Sequence, residues 1–137
     1  MALKLNATMK NYLIDKGMID QLAGTSGTAG TASLNIYNGT QPANADAGTN
    51  GTLLCTISNI GWNYGTSGSA ALTGTVTGTA GTDGTATWAR MSTVNSNGTF
   101  CLDGDVGTAG TAIFVINSAA LLTDDIVRLL SANIVIP

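Results

Sequence analysis

The stretch Thr85-Ala86-Thr87-Trp88-Ala89-Arg90-Met91-Ser92-Thr93-Val94, followed through Asn97-Gly98 by Thr99-Phe100-Cys101-Leu102-Asp103-Gly104-Asp105-Val106, decides how the chain is read. Both halves are rich in β-branched and aromatic residues, and Asn-Gly tolerates the positive φ that both central positions of a type I′ turn require. The spacing predicts a β-hairpin, with Trp88 and Arg90 on one face of its first strand. On that face the guanidinium lies over or beside the indole, an attraction worth about 0.5 to 2 kcal/mol. Two readings of the pair stand side by side: an interface hot spot, since Trp and Arg concentrate binding energy, or a sheet-surface pair shielding the edge of the core.

The same alternation of short β-branched runs with Gly, Asn and Asp turns extends on both sides of the hairpin. Strands are predicted at Ala32–Asn38, Thr52–Ser58, Ala70–Thr79, Thr85–Val94, Thr99–Val106, Thr111–Asn117 and Ile126–Ile136. Asn50-Gly51, Asp83-Gly84 and Asp103-Gly104 mark tight turns or bulges. About seven strands with this spacing predict a mainly β protein, an antiparallel β-sandwich of jelly-roll or immunoglobulin-like type. Fourteen of the 18 glycines precede threonine, and Gly-Thr-Ala-Gly-Thr begins at Gly27, Gly78 and Gly107. Those starts are unevenly spaced, which argues for reused turn chemistry and against a solenoid.

Only the beginning of the chain has helical spacing. Leu5, Met9, Tyr12 and Leu13 form a stripe, Asn6 suits an N-cap, and Gly17 suits a C′ stop, so Ala7–Lys16 is predicted to be a short α-helix. Residues 1–30 then read as a helical arm with a Gly/Thr-rich linker, and 31–137 as the β domain. Trp62 and Tyr64, in Gly61-Trp62-Asn63-Tyr64-Gly65, read as aromatics of an irregular loop available to a partner. Leu5, Met9, Tyr12, Leu13, Trp62, Tyr64, Trp88 and Arg90 are therefore the candidate interface residues.

Composition narrows the function. The 137 residues include no His and no Glu, and the charged residues are eight Asp, three Lys and two Arg. Ser-His and Cys-His nucleophilic catalysis is excluded, no Ser-x-x-Lys or phosphate-loop motif is present, and the chain reads as non-enzymatic with no cofactor. Asp103-Gly104-Asp105 and Asp124-Asp125 lack the spacing of a calcium loop, so no metal site is assigned. Five scattered cations offer neither nucleic acid nor an anionic membrane a basic stripe. No segment has the length of a membrane span or the apolar core of a signal peptide, and folding in a cytoplasm is expected. Charged residues make up 9% of the chain against about 25% in typical domains, so either the exposed surface is coated with Thr, Ser and Asn or much of it meets other subunits, which points to assembly. Strand parity places Cys55 in the core with Leu53 and Ile57 and turns Cys101 away from the Phe100/Leu102 face, giving two independent thiols.

The strings Leu34-Asn35-Ile36-Tyr37-Asn38-Gly39-Thr40-Gln41-Pro42-Ala43-Asn44-Ala45-Asp46 and Gly51-Thr52-Leu53-Leu54 resemble a group of short virion proteins of tailed bacteriophages. Gly84-Thr85-Ala86-Thr87-Trp88-Ala89-Arg90, Leu102-Asp103-Gly104-Asp105-Val106-Gly107 and Ile134-Val135-Ile136-Pro137 extend the resemblance over nearly the whole chain. The two cysteines and the Gly-Thr-Ala-Gly-Thr repeats fall outside it. The resemblance implies a structural protein of the particle: a capsid decoration or cement protein on the virion surface, bridging copies of the major capsid protein. Self-association as a dimer or trimer is expected, with the helix clasping a neighbour. A tail or appendage component is the alternative. From another class, an ice- or glycan-binding module would use Trp62, Tyr64 and the alternate threonines Thr73, Thr75, Thr77 and Thr79.

Overall fold

The computed structural model describes residues 3–22, 32–66, 69–72, 76–95, 98–132 and 134–135. The protein is mainly β. Its helical segment runs as α1 (Ala7–Tyr12), a π-helical stretch (Leu13–Ile19) and α2 (Asp20–Leu22). The strands are β1 (Ala32–Tyr37), β2 (Leu53–Ile60), β3 (Trp62–Thr66), β4 (Ser69–Leu72), β5 (Val76–Thr79) and β6 (Gly84–Thr85). They continue as β7 (Trp88–Asn95), β8 (Gly98–Gly107), β9 (Phe114–Ile116), β10 (Ala120–Leu121), β11 (Ile126–Ala132) and β12 (Ile134–Val135).

In place of two facing sheets, seven strands form one continuous sheet in the order β2-β1-β7-β8-β9-β11-β5. The sheet curls until its edges nearly meet. Cys55 of β2 forms an isolated bridge with Ala80, just beyond β5, and the Gly81 amide donates to the Leu54 carbonyl at 2.9 Å. The result is close to a barrel, which covers two otherwise open edges. At this seam the backbones come so close that a Cβ on Gly78 would sit 2.5 Å from the Thr56 carbonyl oxygen and 3.1 Å from Cys55 Sγ. The second Gly-Thr-Ala-Gly-Thr repeat thus supplies the residues that close the sheet.

Most pairings are antiparallel, but β8 and β9 run parallel, with Val106 opposite Phe114 and Gly107 opposite Val115. Phe114 fits there because Gly104 is bare: a Cβ on it would lie 2.9 Å from the Phe114 ring. Asp103-Gly104 is therefore not a turn. It sits in the middle of the ten-residue β8, where glycine makes room for an aromatic neighbour. The β7–β8 hairpin forms as predicted from composition, with its turn displaced: Asn95 pairs with Gly98, which has φ +128° and begins β8, while Asn97 lies outside the described residues. The predicted strand Ala70–Thr79 is split into β4 and β5, which belong to different sheets.

Inward-facing side chains, among them Leu34, Ile36, Ile57, Met91, Phe114, Ile116, Val127 and Leu129, fill the interior. A small sheet, β12-β4-β3, adjoins the helical segment, and Trp62 of β3 is fully buried in the same core. The indole therefore belongs to packing and not to an exposed loop. Asn6 caps the helix as expected, its Oδ1 accepting from the Met9 amide at 2.9 Å. Gly17 does not end it. The chain remains helical to Leu22, and the Asp20 amide donates to the Asp15 carbonyl five residues back. That wider step brings Ile14 and Ile19 to the same side, both at 0% exposure, while Leu22 joins them in the core. Burial of three large apolar side chains outweighs the roughly 1 kcal/mol that a helical glycine costs. The segment expected to be an arm is packed against β3, β4, β7 and β8.

The seam can be tested with two neighbouring glycines. Gly78→Ala should destabilise the protein by about 1 to 3 kcal/mol, because the added methyl meets backbone that cannot yield without parting β2 from β5. Gly81→Ala, where a Cβ meets nothing within 4 Å, should stay within about 0.5 kcal/mol of wild type. Urea unfolding of both variants measures the difference.

Candidate functional site

Two regions hold the candidate residues, one on the outer face of β1, β7 and β8 and one around the helix. On the first, Tyr37 stacks on Trp88 with ring centroids 4.6 Å apart and planes 14° apart. The Arg90 guanidinium carbon lies 5.8 Å from the Trp88 ring centroid. Arg90 is gripped by Asp103 of the neighbouring strand through Nε–Oδ1 at 2.6 Å and Nη2–Oδ2 at 2.7 Å, a bidentate geometry. Its Nη1 donates to the Ala47 carbonyl at 2.9 Å, and Cys101 Sγ donates to the Ala45 carbonyl at 3.3 Å.

These bonds fasten the connection between β1 and β2 over the outside of the sheet. Its two ends are joined by Asn38, whose Oδ1 accepts from the Thr52 amide at 2.6 Å. Gly39 and Gly51 take φ of +86° and +84°, and a side chain on Gly51 would run into the Asn38 carbonyl. Asn44 Oδ1 accepts from the Asp46 and Ala47 amides at 3.0 Å each, bending the connection toward Arg90. Trp88 ends at 1% exposure. Of the two readings, the shielding pair describes this arrangement, since the indole offers a partner almost no surface. The Asp103 hydrogen bonds raise the Arg90 pKa above its ordinary value, so the guanidinium remains charged throughout the usual pH range. Burial raises the pKa of the Cys55 thiol. Both cysteines are free.

Around the helix the predicted stripe divides. Leu5 is half-buried, whereas Met9, Tyr12 and Leu13 are 50%, 65% and 43% exposed and turn away from the core that Ile14, Ile19 and Leu22 enter. Leu13, Met18 and Leu22 form one wall of an apolar cleft of about 490 Å³; Phe100, Leu102 and Ile134 form the other. On its outer side the helix has a second hollow, about 430 Å³, bordered by Asn6, Thr8, Met9 and Tyr12. Tyr64 lies in β3, its side chain outside the described residues. Helical periodicity finds the exposed stripe, whereas the inward positions Ile14 and Ile19 are set by the π-helical stretch, which that periodicity does not show.

Elsewhere Thr77 and Thr79 face outward on β5 opposite Arg128 and Ile126, so the neighbouring strand does not continue the threonine row, and Thr73 and Thr75 lie outside the described residues. The turn before β11 is fixed by Asp83, whose Oδ1 accepts from both the Thr123 amide and hydroxyl at 2.7 Å. Those two bonds, the backbone one foremost, lower the Asp83 pKa. Among the described residues, no three acidic, Cys or His side chains gather to hold a metal ion. The chemistry on display among the described residues is packing and hydrogen bonding.

No protein-family model matches the chain, nor does any curated protein or solved structure.

Asp103→Asn should destabilise the fold by about 3 kcal/mol, because it removes the countercharge of a largely buried guanidinium. It should also speed alkylation of Cys101 by loosening the connection that accepts its thiol hydrogen bond, while Cys55 remains slow. Mass spectrometry of iodoacetamide-treated native protein separates the two sites.

Proposed function

We propose that this chain is a non-enzymatic structural protein of a tailed-phage particle, a decoration or cement protein that binds across neighbouring capsid subunits. The observation that carries the reading is the apolar side chains left on the surface of a charge-poor chain: Leu3, Met9, Tyr12, Val94, Leu122, Ile126 and Leu130 are each at least half exposed. Met9 and Tyr12 border one hollow, and Leu122 and Ile126 flank one turn, and exposed apolar groups gathered in this way mark contact surfaces. The largely buried Arg90–Asp103 ion pair is consumed in fastening a connection, which suits a structural role.

The sequence strings that carry the resemblance also support the reading by where they lie. Tyr37 and Asn44 come from one string, Trp88 and Arg90 from another, and Asp103 from a third. All meet on the outer face of β1, β7 and β8. A protein bound only to the assembled shell stabilises that shell by its own binding free energy, with no catalytic step required. Copies of the major capsid protein are the partners this reading requires.

Immunogold labelling of intact particles from the source, using antibody raised against this chain, tests the proposal. Gold distributed over heads is the expected result. Gold confined to tails would replace the capsid role with the appendage role, and unlabelled particles that contain no peptide of this chain by mass spectrometry would overturn both.

A further inference from the structure

The two ends of the molecule differ in charge and share an apolar character. The helical segment and the residues leading into it carry all three lysines of the chain, Lys4, Lys10 and Lys16, against Asp15 and Asp20. Lys16 pairs with Asp20 at 3.0 Å, whereas Lys4 and Lys10 have no carboxylate partner among the described residues. Beside them stand the exposed Leu3, Met9, Tyr12 and Leu13, with the hollow between Met9 and Tyr12.

At the start of β11 the opposite charge prevails. Asp83, Asp124 and Asp125 surround a turn from which Leu122 and Ile126 project at 62% and 53% exposure, with Arg128 two residues beyond Ile126 along the strand. The turn is stiff: the Asp125 carboxylate accepts from the Leu122 amide at 2.9 Å, and the Asp124 amide donates to the Ala80 carbonyl at 2.8 Å. Asp124 holds φ +74°. From this turn β11 runs away toward Ile134 in the cleft beside the helix, about 20 Å over Ile126–Ala132 alone. The basic apolar face and the acidic apolar turn therefore lie toward opposite ends of β11 and cannot satisfy each other within one molecule.

We infer that the occupant of the helix face is a second copy of this chain, bound head to tail, with its Leu122 seated in the hollow between Met9 and Tyr12 and its Asp124 and Asp125 facing Lys4 and Lys10. Charge selects this arrangement over a symmetric one. Two helix faces brought together by a two-fold axis would set the lysines against their own images, and two acidic turns would meet the same repulsion. A contact between unlike faces leaves one of each kind free on every pair, so growth continues until a ring closes or a filament forms. The contact is a property of the free protein and does not depend on the particle reading.

Sedimentation velocity of the full chain tests it. Wild type should exceed monomer mass as concentration rises, and added salt should reverse the association. Lys4→Glu/Lys10→Glu and Asp124→Asn/Asp125→Asn should each sediment as monomers, with circular dichroism confirming the fold. Asparagine retains the acceptor at 125 and tolerates the positive φ at 124. An equimolar mixture of the two variants keeps one intact helix face and one intact turn, so it should give a one-to-one heterodimer and nothing larger. Leu122→Ser, which leaves every charge in place, should weaken association as well. A wild type that is monomeric at all concentrations, an aspartate variant that associates like wild type, or a mixture that remains monomeric would each overturn the proposal.

Discussion

Closure of the seven-stranded sheet is the constraint on which the rest of the molecule depends. A sheet with free edges would expose two rows of unpaired amides and carbonyls, and its inward-facing Leu, Ile and Phe side chains would have no opposite wall. Bringing β2 to β5 supplies both the partner and the wall. The approach is possible because Gly78 has no side chain, and the bridge residue two positions later is the small Ala80. Everything outside the barrel is fastened to a shape that closure has already defined.

That dependence explains the different roles of the two tryptophans. Trp62 is buried in the core that the helical segment completes, and Trp88 lies on the outer face of the sheet under a connection held by Arg90, Asp103 and Cys101. Neither is available as a surface anchor. The contact surface is left to aliphatic side chains and Tyr12, and its selectivity must come largely from the few charges around them.

Much of this was legible in the residues. β-Branched alternation and Gly/Asn turns located most of the strands, Asn6 marked the start of the helix, and strand parity separated Cys55 from Cys101. Three features were hidden for physical reasons. Trp62 lies between Gly61 and Gly65, so local composition reads as loop, and only the tertiary packing makes a strand of it. Gly17 carries the usual helix-stop signal, but the apolar residues after it find a core that local sequence does not display. The choice between a sandwich and a nearly closed barrel rests on contacts between residues far apart in sequence, such as Cys55 with Ala80, for which periodicity holds no information. In the candidate surface, Met9, Tyr12 and Leu13 were visible as a stripe, while the acidic turn carried no motif and gained meaning only from its place at the far end of β11.

The seam also orders events in time. The β7–β8 hairpin closes a two-residue connection, so it forms early at small entropic cost, whereas pairing β11 with β5 spans roughly fifty residues and must wait for the intervening chain. Until that late step the sheet stays open, with β2 exposed at one edge and β11 at the other. Gly78 therefore governs how long the newly made chain remains adhesive, a quantity set by folding rate and invisible in the finished barrel.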